Sequence, residues 1–167
     1  MKKLISVIGL SLFFLGEFGI TAYAQTSQEV TETVTVSFYS TVKTIPLGEN
    51  LAYMTFEAFG ISVSDTGEGL FHDATVRALG AMSIERGAYQ DKIYVVFNLR
   101  NGDKIFGTGS CTGKIGAPGE GTATFIGGTG KCAGIQGSGE FTRYSLRPAF
   151  EGIAQSYNKL KIRYRLP

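Results

Sequence analysis

Residues Gly121–Phe141 read GTATFIGGTGKCAGIQGSGEF, and this stretch decides the fold. A short apolar run, Ala123 to Ile126, is followed by a glycine-dense crossing and then by a second alternating run from Gly137. Of the chain's 23 glycines, 12 fall between Gly107 and Gly139 without a collagen period. Such density signals tight turns and backbones brought close together. Two nucleotide-binding patterns fail here. GTGKC lacks the first glycine of a phosphate loop, and Cys132 stands where a Ser or Thr would hold magnesium. Gly128-x-Gly130-x-x-Ala133 has no helical pattern after it and no βαβ unit around it. What remains is a strand, a glycine loop and a return strand, so Gly127, Gly128, Gly130, Gly134 and Gly137 are read as structural.

Working upstream, Lys104 to Ile115 places Ile105, Gly107, Gly109, Cys111 and Gly113 on one face, and Gly116-Ala-Pro-Gly119 turns it into the quoted stretch. Asn101-Gly102 closes a hairpin with the strand carrying Tyr89, Ile93, Val95, Phe97 and Leu99 on its apolar side. Before it, His72, Ala74, Val76, Ala78, Gly80, Met82 and Ile84 share one face. Leu51 to Val63 is apolar on both parities, which predicts a strand covered on its outer as well as its inner side. Val34, Val36, Phe38 and Val42 alternate with Thr33, Thr35, Ser37, Tyr39 and Thr41 in the first strand. Downstream, Phe141 and Tyr144 end the return strand near Pro148. Asn158, Leu160, Ile162, Tyr164 and Leu166 then alternate with Lys159, Lys161, Arg163 and Arg165.

No segment sustains a helical period, and turn signals recur at the spacing of all-β domains. The expected fold is all-β: a single small closed antiparallel β-barrel of about eight strands, because closure removes exposed edges. A two-sheet sandwich is the alternative. Residues 1–24 read as a signal peptide, with Lys2 and Lys3, an apolar run from Leu4 to Leu15 and an Ala22-Tyr23-Ala24 cleavage site. The domain is then residues 25–167, secreted or periplasmic, with no stable membrane insertion after cleavage; an uncleaved N-terminal anchor is the alternative. The formal charge of +2 falls to about +1 on cleavage and names no partner, nucleic acid included.

FHDATVRALG from Phe71, NGDKIFGTG from Asn101 and the glycine stretch itself resemble the bacterial relatives of allene oxide cyclase, within the allene oxide cyclase and dirigent-like barrels. The resemblance spans about Phe71 to Phe141. It implies an eight-stranded antiparallel barrel with a hydrophobic lumen, a trimeric homo-oligomer and no cofactor. Plant members of the family cyclise an unstable fatty-acid epoxide or steer the coupling of phenolic radicals.

Candidate chemistry is sparse. His72 is the sole histidine, so no multi-histidine metal site exists, and the cysteines lack C-x-x-C spacing. No catalytic residue, metal or cofactor is predicted. His72 reads either as a hydrogen-bonded residue at a strand start beside Asp73, or as a polar group at the barrel mouth. Glu57, on the parity of Tyr53 and Phe59, is a carboxylate in an apolar cavity if that parity faces the lumen, and an ordinary solvated residue if it faces out. Tyr94 and Asn98 share a parity in the fourth strand. His72, Glu57, Tyr53, Tyr94 and Asn98 are therefore the ligand-binding candidates. The stripe Lys159, Lys161, Arg163 and Arg165 reads as a solvated face that discourages edge pairing, with an anionic partner as the alternative.

Cys111 and Cys132 are expected to form a disulfide in an oxidising compartment. With the turn centred near Pro118, Cys111 falls opposite Phe125, so the loop carrying Cys132 would begin beside it. Two buried free thiols are the alternative. The function expected is a secreted barrel that binds a small apolar ligand or serves as a scaffold. The alternative is a cofactor-free cyclase or isomerase acting on a reactive lipid or phenolic intermediate.

Overall fold

Alternating side chains give a strand two faces, and closing a sheet on itself turns one of them into a lumen. The computed structural model describes residues 28–167, in which eight strands do this. They are β1 (Val30–Gly48), β2 (Leu51–Ser64), β3 (Ala74–Glu85), β4 (Ala88–Asn98), β5 (Lys104–Lys114), β6 (Gly119–Gly128), β7 (Gln136–Leu146) and β8 (Ile153–Arg165). A single 3-10 turn, Gly130–Cys132, joins β6 to β7. The signal segment and its cleavage site lie outside the described residues. Each strand pairs antiparallel with its predecessor and β8 pairs with β1, so the barrel is closed and runs up and down. The β3–β4 hairpin turns on Arg86 and Gly87, with φ of 50° and 78°. Two successive left-handed residues match the right-handed twist of the strands they join.

Even-numbered residues of β1, β2, β3 and β8 face the lumen, and odd-numbered residues of β4 to β7 do. One end is sealed. The Asp65–Asp73 connection folds under the barrel and buries Phe71 completely. Its ring lies edge-on to Phe97 at 5.1 Å and Tyr164 at 5.7 Å, and stacked on Phe125 at 5.5 Å. Glu32 ties this plug down: its carboxylate accepts from the Leu70 amide (2.9 Å), the Phe71 amide (3.3 Å) and the Tyr164 hydroxyl (2.5 Å). Burial, with Glu32 adding, pushes the Tyr164 phenol well above its ordinary range.

The glycines of β5, β6 and β7 leave this wall bare so that rings can cross it. A Cβ on Gly121 would strike the Phe141 ring and stand 2.6 Å from the Ser110 carbonyl oxygen. At the β6–β7 crossing, a Cβ on Gly128 would stand 2.5 Å from the Cys132 carbonyl and 2.9 Å from that of Lys104. Gly130 has φ of 54°. The crossing is clasped to the start of β5, where the Lys131 amide donates to Asp103 (3.1 Å) and the Lys104 amide to Thr129 Oγ1 (2.8 Å).

Two sequence expectations are corrected here. Cys111 and Cys132 are buried free thiols, with no bridge between them. The β5–β6 register pairs Cys111 with Gly121 and Gly107 with Phe125, four residues from the expected alignment. Cys132 packs against Gly128, which pairs with Ile105. Six residues of strand separate Ile105 from Cys111, roughly 20 Å at a rise of ~3.3 Å per residue. A bridge tolerates about 7 Å between Cα atoms. The second correction concerns β2, whose outer face is not covered within the chain. Tyr53, Phe59 and Ile61 point outward, Ile61 with 56% of its surface exposed.

Candidate functional site

The end opposite Phe71 opens into a cavity of about 260 Å³. Its walls come from the C-terminal half of β1, the N-terminal half of β2, the end of β3 and the β7–β8 connection. Phe38, Val42, Met54, Phe56, Met82 and Ile93 line it with apolar surface, as do Leu146, Pro148 and Ile153 from the β7–β8 side. Met54 and Met82 are cross-strand partners, so two flexible thioethers face the same space. The β7–β8 connection is held by the Ala149 amide donating to Gln155 Oε1 (2.8 Å), with the Phe150 ring 6.2 Å from Tyr39. Deeper in the lumen a void of about 30 Å³ continues between Phe38, Phe97, Phe125 and Phe141. Phe38, Ile93 and Asn158 line both spaces.

The polar side chains in the lining are Ser40, Arg143, Ser145, Gln155, Ser156 and Asn158, and Asp91 stands behind Arg143. Asp91 and Arg143 form an ion pair whose side chains are 0% and 12% exposed. Asp91 Oδ2 accepts from Arg143 Nη1, and Oδ1 accepts from the Cys111 amide at 2.9 Å. Burial works to lower the guanidinium's pKa, but Asp91 more than offsets it, so the net shift is upward and Arg143 stays charged. The guanidinium carbon stands 5.8 Å from the Phe141 ring centre. Beside the pair, the Tyr89 hydroxyl lies 3.7 Å from Cys111 Sγ. Burial, with the Cys111 contact adding, pushes Tyr89 up to about 12, and burial raises the Cys111 thiol as well.

Asn158 is the neighbour of Arg143 in this lining. It sits directly across from Arg143 in the β7–β8 register, and both face inward. Its Oδ1 is buried without a hydrogen-bond partner among the described residues, as is Ser62 Oγ on the far side of Val36.

None of the five residues singled out from the sequence lines this cavity. His72 lies at the plugged end, where Nδ1 accepts from the Ser64 amide (3.3 Å) and Nε2 stands 3.5 Å from Asp73. Glu57 belongs to the outward parity of β2 and pairs with Arg77 on the surface at 2.6 Å. Tyr53 is exposed on the same face, and Tyr94 is 60% exposed on the outside of β4. Asn98 donates to Thr75 Oγ1 at 3.5 Å, also outside. Lys159, Lys161, Arg163 and Arg165 point outward between the threonines of β1 and the polar face of β7, with Glu140 opposite Lys161. Among the described residues no group of His, Cys, Asp and Glu gathers as a metal site.

No family model and no curated protein matches the chain. Among solved structures the chain is similar to a pterocarpan synthase dirigent protein, at 12% identity and a TM-score of 0.49, over 84% of this chain and 93% of that one. The closed barrel is established by the chain's own strand pairing.

Proposed function

We propose that this chain is an exported barrel that holds a small, mainly apolar molecule in its mouth cavity and does not transform it. The observation that carries the reading is the one-ended lumen, sealed by Phe71 and open above Met54 and Met82 to an apolar cavity. Concave apolar surface with a few convergent polar groups is what small-molecule sites share. Binding is favoured over catalysis by the state of Asp91. Both of its oxygens are engaged, one by Arg143 and one by a backbone amide, and a general base needs a free one. The buried charge pair in the wall is nonetheless the observation that favours the second reading, a cofactor-free cyclase or isomerase whose cavity folds a reactive lipid or phenolic intermediate.

The sequence resemblance to allene oxide cyclase and dirigent-like barrels supports either role within that group. Export rests on the N-terminal charge, apolar run and cleavage pattern. The outward Phe59, Ile61, Leu79, Tyr94 and Ile126 support a homo-oligomer in which further copies cover this wall, a trimer if the resemblance extends to assembly. The test is mass spectrometry of organic extracts from protein purified out of the exported fraction. A near-stoichiometric apolar compound is expected, absent from a Met82→Trp variant that fills the cavity. Extracts indistinguishable between the two proteins would overturn the binding role.

A further inference from the structure

The wall of the cavity also limits the chemistry of what it takes. Among the described residues Arg143 is the only ionisable one in the lining, and Asp91 behind it cancels its charge, so this lining is electrically neutral overall. Arg143 and Asn158 are inward cross-strand partners, which places their Cβ atoms about 4.5–5.5 Å apart. The two side chains offer opposite halves of a hydrogen-bonding site. Among the described residues the guanidinium gives one hydrogen bond, to Asp91, out of the five N–H donors it carries. Asn158 is 5% exposed, and its buried Oδ1 has no hydrogen-bond partner among the described residues. A buried acceptor without a donor is rare, and any group that supplies the donor is favoured by the penalty it relieves.

We infer that the ligand carries an uncharged hydroxyl group, seated between Arg143 and Asn158, with its apolar part against Met54, Phe56 and Met82. This rests on the mouth cavity being the binding site. A hydroxyl accepts from the guanidinium and, once the Asn158 amide turns its buried Oδ1 toward the cavity, donates to it, so it completes both halves. An ether oxygen accepts from Arg143 but leaves Asn158 orphaned. A carboxylate has no proton for Asn158, sets its lone pairs against Oδ1, and competes with Asp91 for a guanidinium already neutralised. An ammonium group meets the positive charge of Arg143. The site therefore ranks head groups on otherwise equal apolar bodies.

Isothermal titration at pH 7 with four probes tests this: 1-octanol, its isomer heptyl methyl ether, octanoate and octylammonium. Eight carbons suit the volume, since about 150 Å³ already admits a benzene ring. The expected result is that 1-octanol binds about tenfold tighter than the ether and the two ions, the scale of one buried hydrogen bond made against one left unmade. In Asn158→Leu the alcohol-to-ether ratio should fall to about one while the ether's own affinity stays within about threefold. If that variant does not fold, the wild-type series decides alone. Equal binding of alcohol and ether overturns the hydroxyl site and leaves the cavity reading standing. Octanoate as the tightest probe overturns it in favour of an anion site. Failure of all four to bind overturns the cavity reading, and this inference with it.

Discussion

Replacing Asp91 with Asn removes one charge from the lumen wall but keeps an acceptor for the Cys111 amide. Arg143, 12% exposed, is then left without its partner. Stranding one member of a buried pair costs about 3–5 kcal/mol, and the residual exposure of Arg143 places this variant near the lower end, about 3 kcal/mol. Arg143→Met strands Asp91, which is fully buried, and should cost about 4–5 kcal/mol. The double variant leaves no charge behind. It should lose only about 1–2 kcal/mol, less than either single change, because pairs replaced by uncharged groups of similar size are often nearly neutral. Urea unfolding at pH 7, followed by circular dichroism, gives the three midpoints, read as stability only where the m-value is unchanged. The single variants should also melt about 6–15 °C lower. Singles costing under about 1 kcal/mol each, with an additive double, would mean that the pair is solvated and forms no part of a dry cavity wall.

Other expectations follow from the same geometry. Phe71→Ala should cost about 3–5 kcal/mol, because a fully buried ring packed on three others is lost; a midpoint shift worth under 1 kcal/mol would mean that the plug does not seal the lumen. Gly128→Val should fail to accumulate as folded protein, whereas Gly48→Ala, with open space around its Cα, should stay within about 0.5 kcal/mol; equal stability of the two variants counts against the crossing's tight fit. Alkylation without reductant should modify no cysteine natively and two after unfolding, and a disulfide would leave both unmodified. Stability should also depend on alkaline pH. Burial raises Cys111 and Cys132 from 9.0 and lifts Tyr89 from 10.0 to about 12. Groups raised in the folded state leave stability intact below about pH 9, and it is lost as pH climbs towards 12 because the unfolded chain ionises first. Urea midpoints at pH 7, 9 and 10.5 should fall in that order, and a flat series would contradict the burial of these groups.

Much of the fold was legible because strand alternation is a local signal. Val34, Val36 and Phe38 on β1, and Ala74, Val76 and Ala78 on β3, are the lumen as built. Register between strands is set by turn geometry, and there the reading failed. A turn placed two residues late moved Cys111 from Gly121 to Phe125 and suggested a bridge that the chain does not make. The site was harder still. Glu57 and Tyr94 drew attention as polar groups among apolar neighbours, but β2 is apolar on both faces and its parity alone could not say which was inside. Arg143 and Asn158 in the cavity wall, and Asp91 behind Arg143, did carry a signal. Asp91 interrupts the inward series Tyr89, Ile93, Val95. Arg143 follows Phe141 by two, and Asn158 opens the series Leu160, Ile162, Tyr164. A charge on an apolar parity marks either a strand end or a buried partner, and only the closed register brings Asp91 and Arg143 together across three intervening strand pairs.

The most direct test of the cavity as a binding site uses its two methionines. Met54 and Met82 sit side by side on the cavity wall as cross-strand partners, and Met1 is the only other methionine in the chain. In protein labelled with 13C at the methionine methyls, titration with 1-octanol or heptyl methyl ether should move both signals along one saturating curve. Methyl signals that stay fixed, or drift linearly without saturation with both probes, would contradict the account.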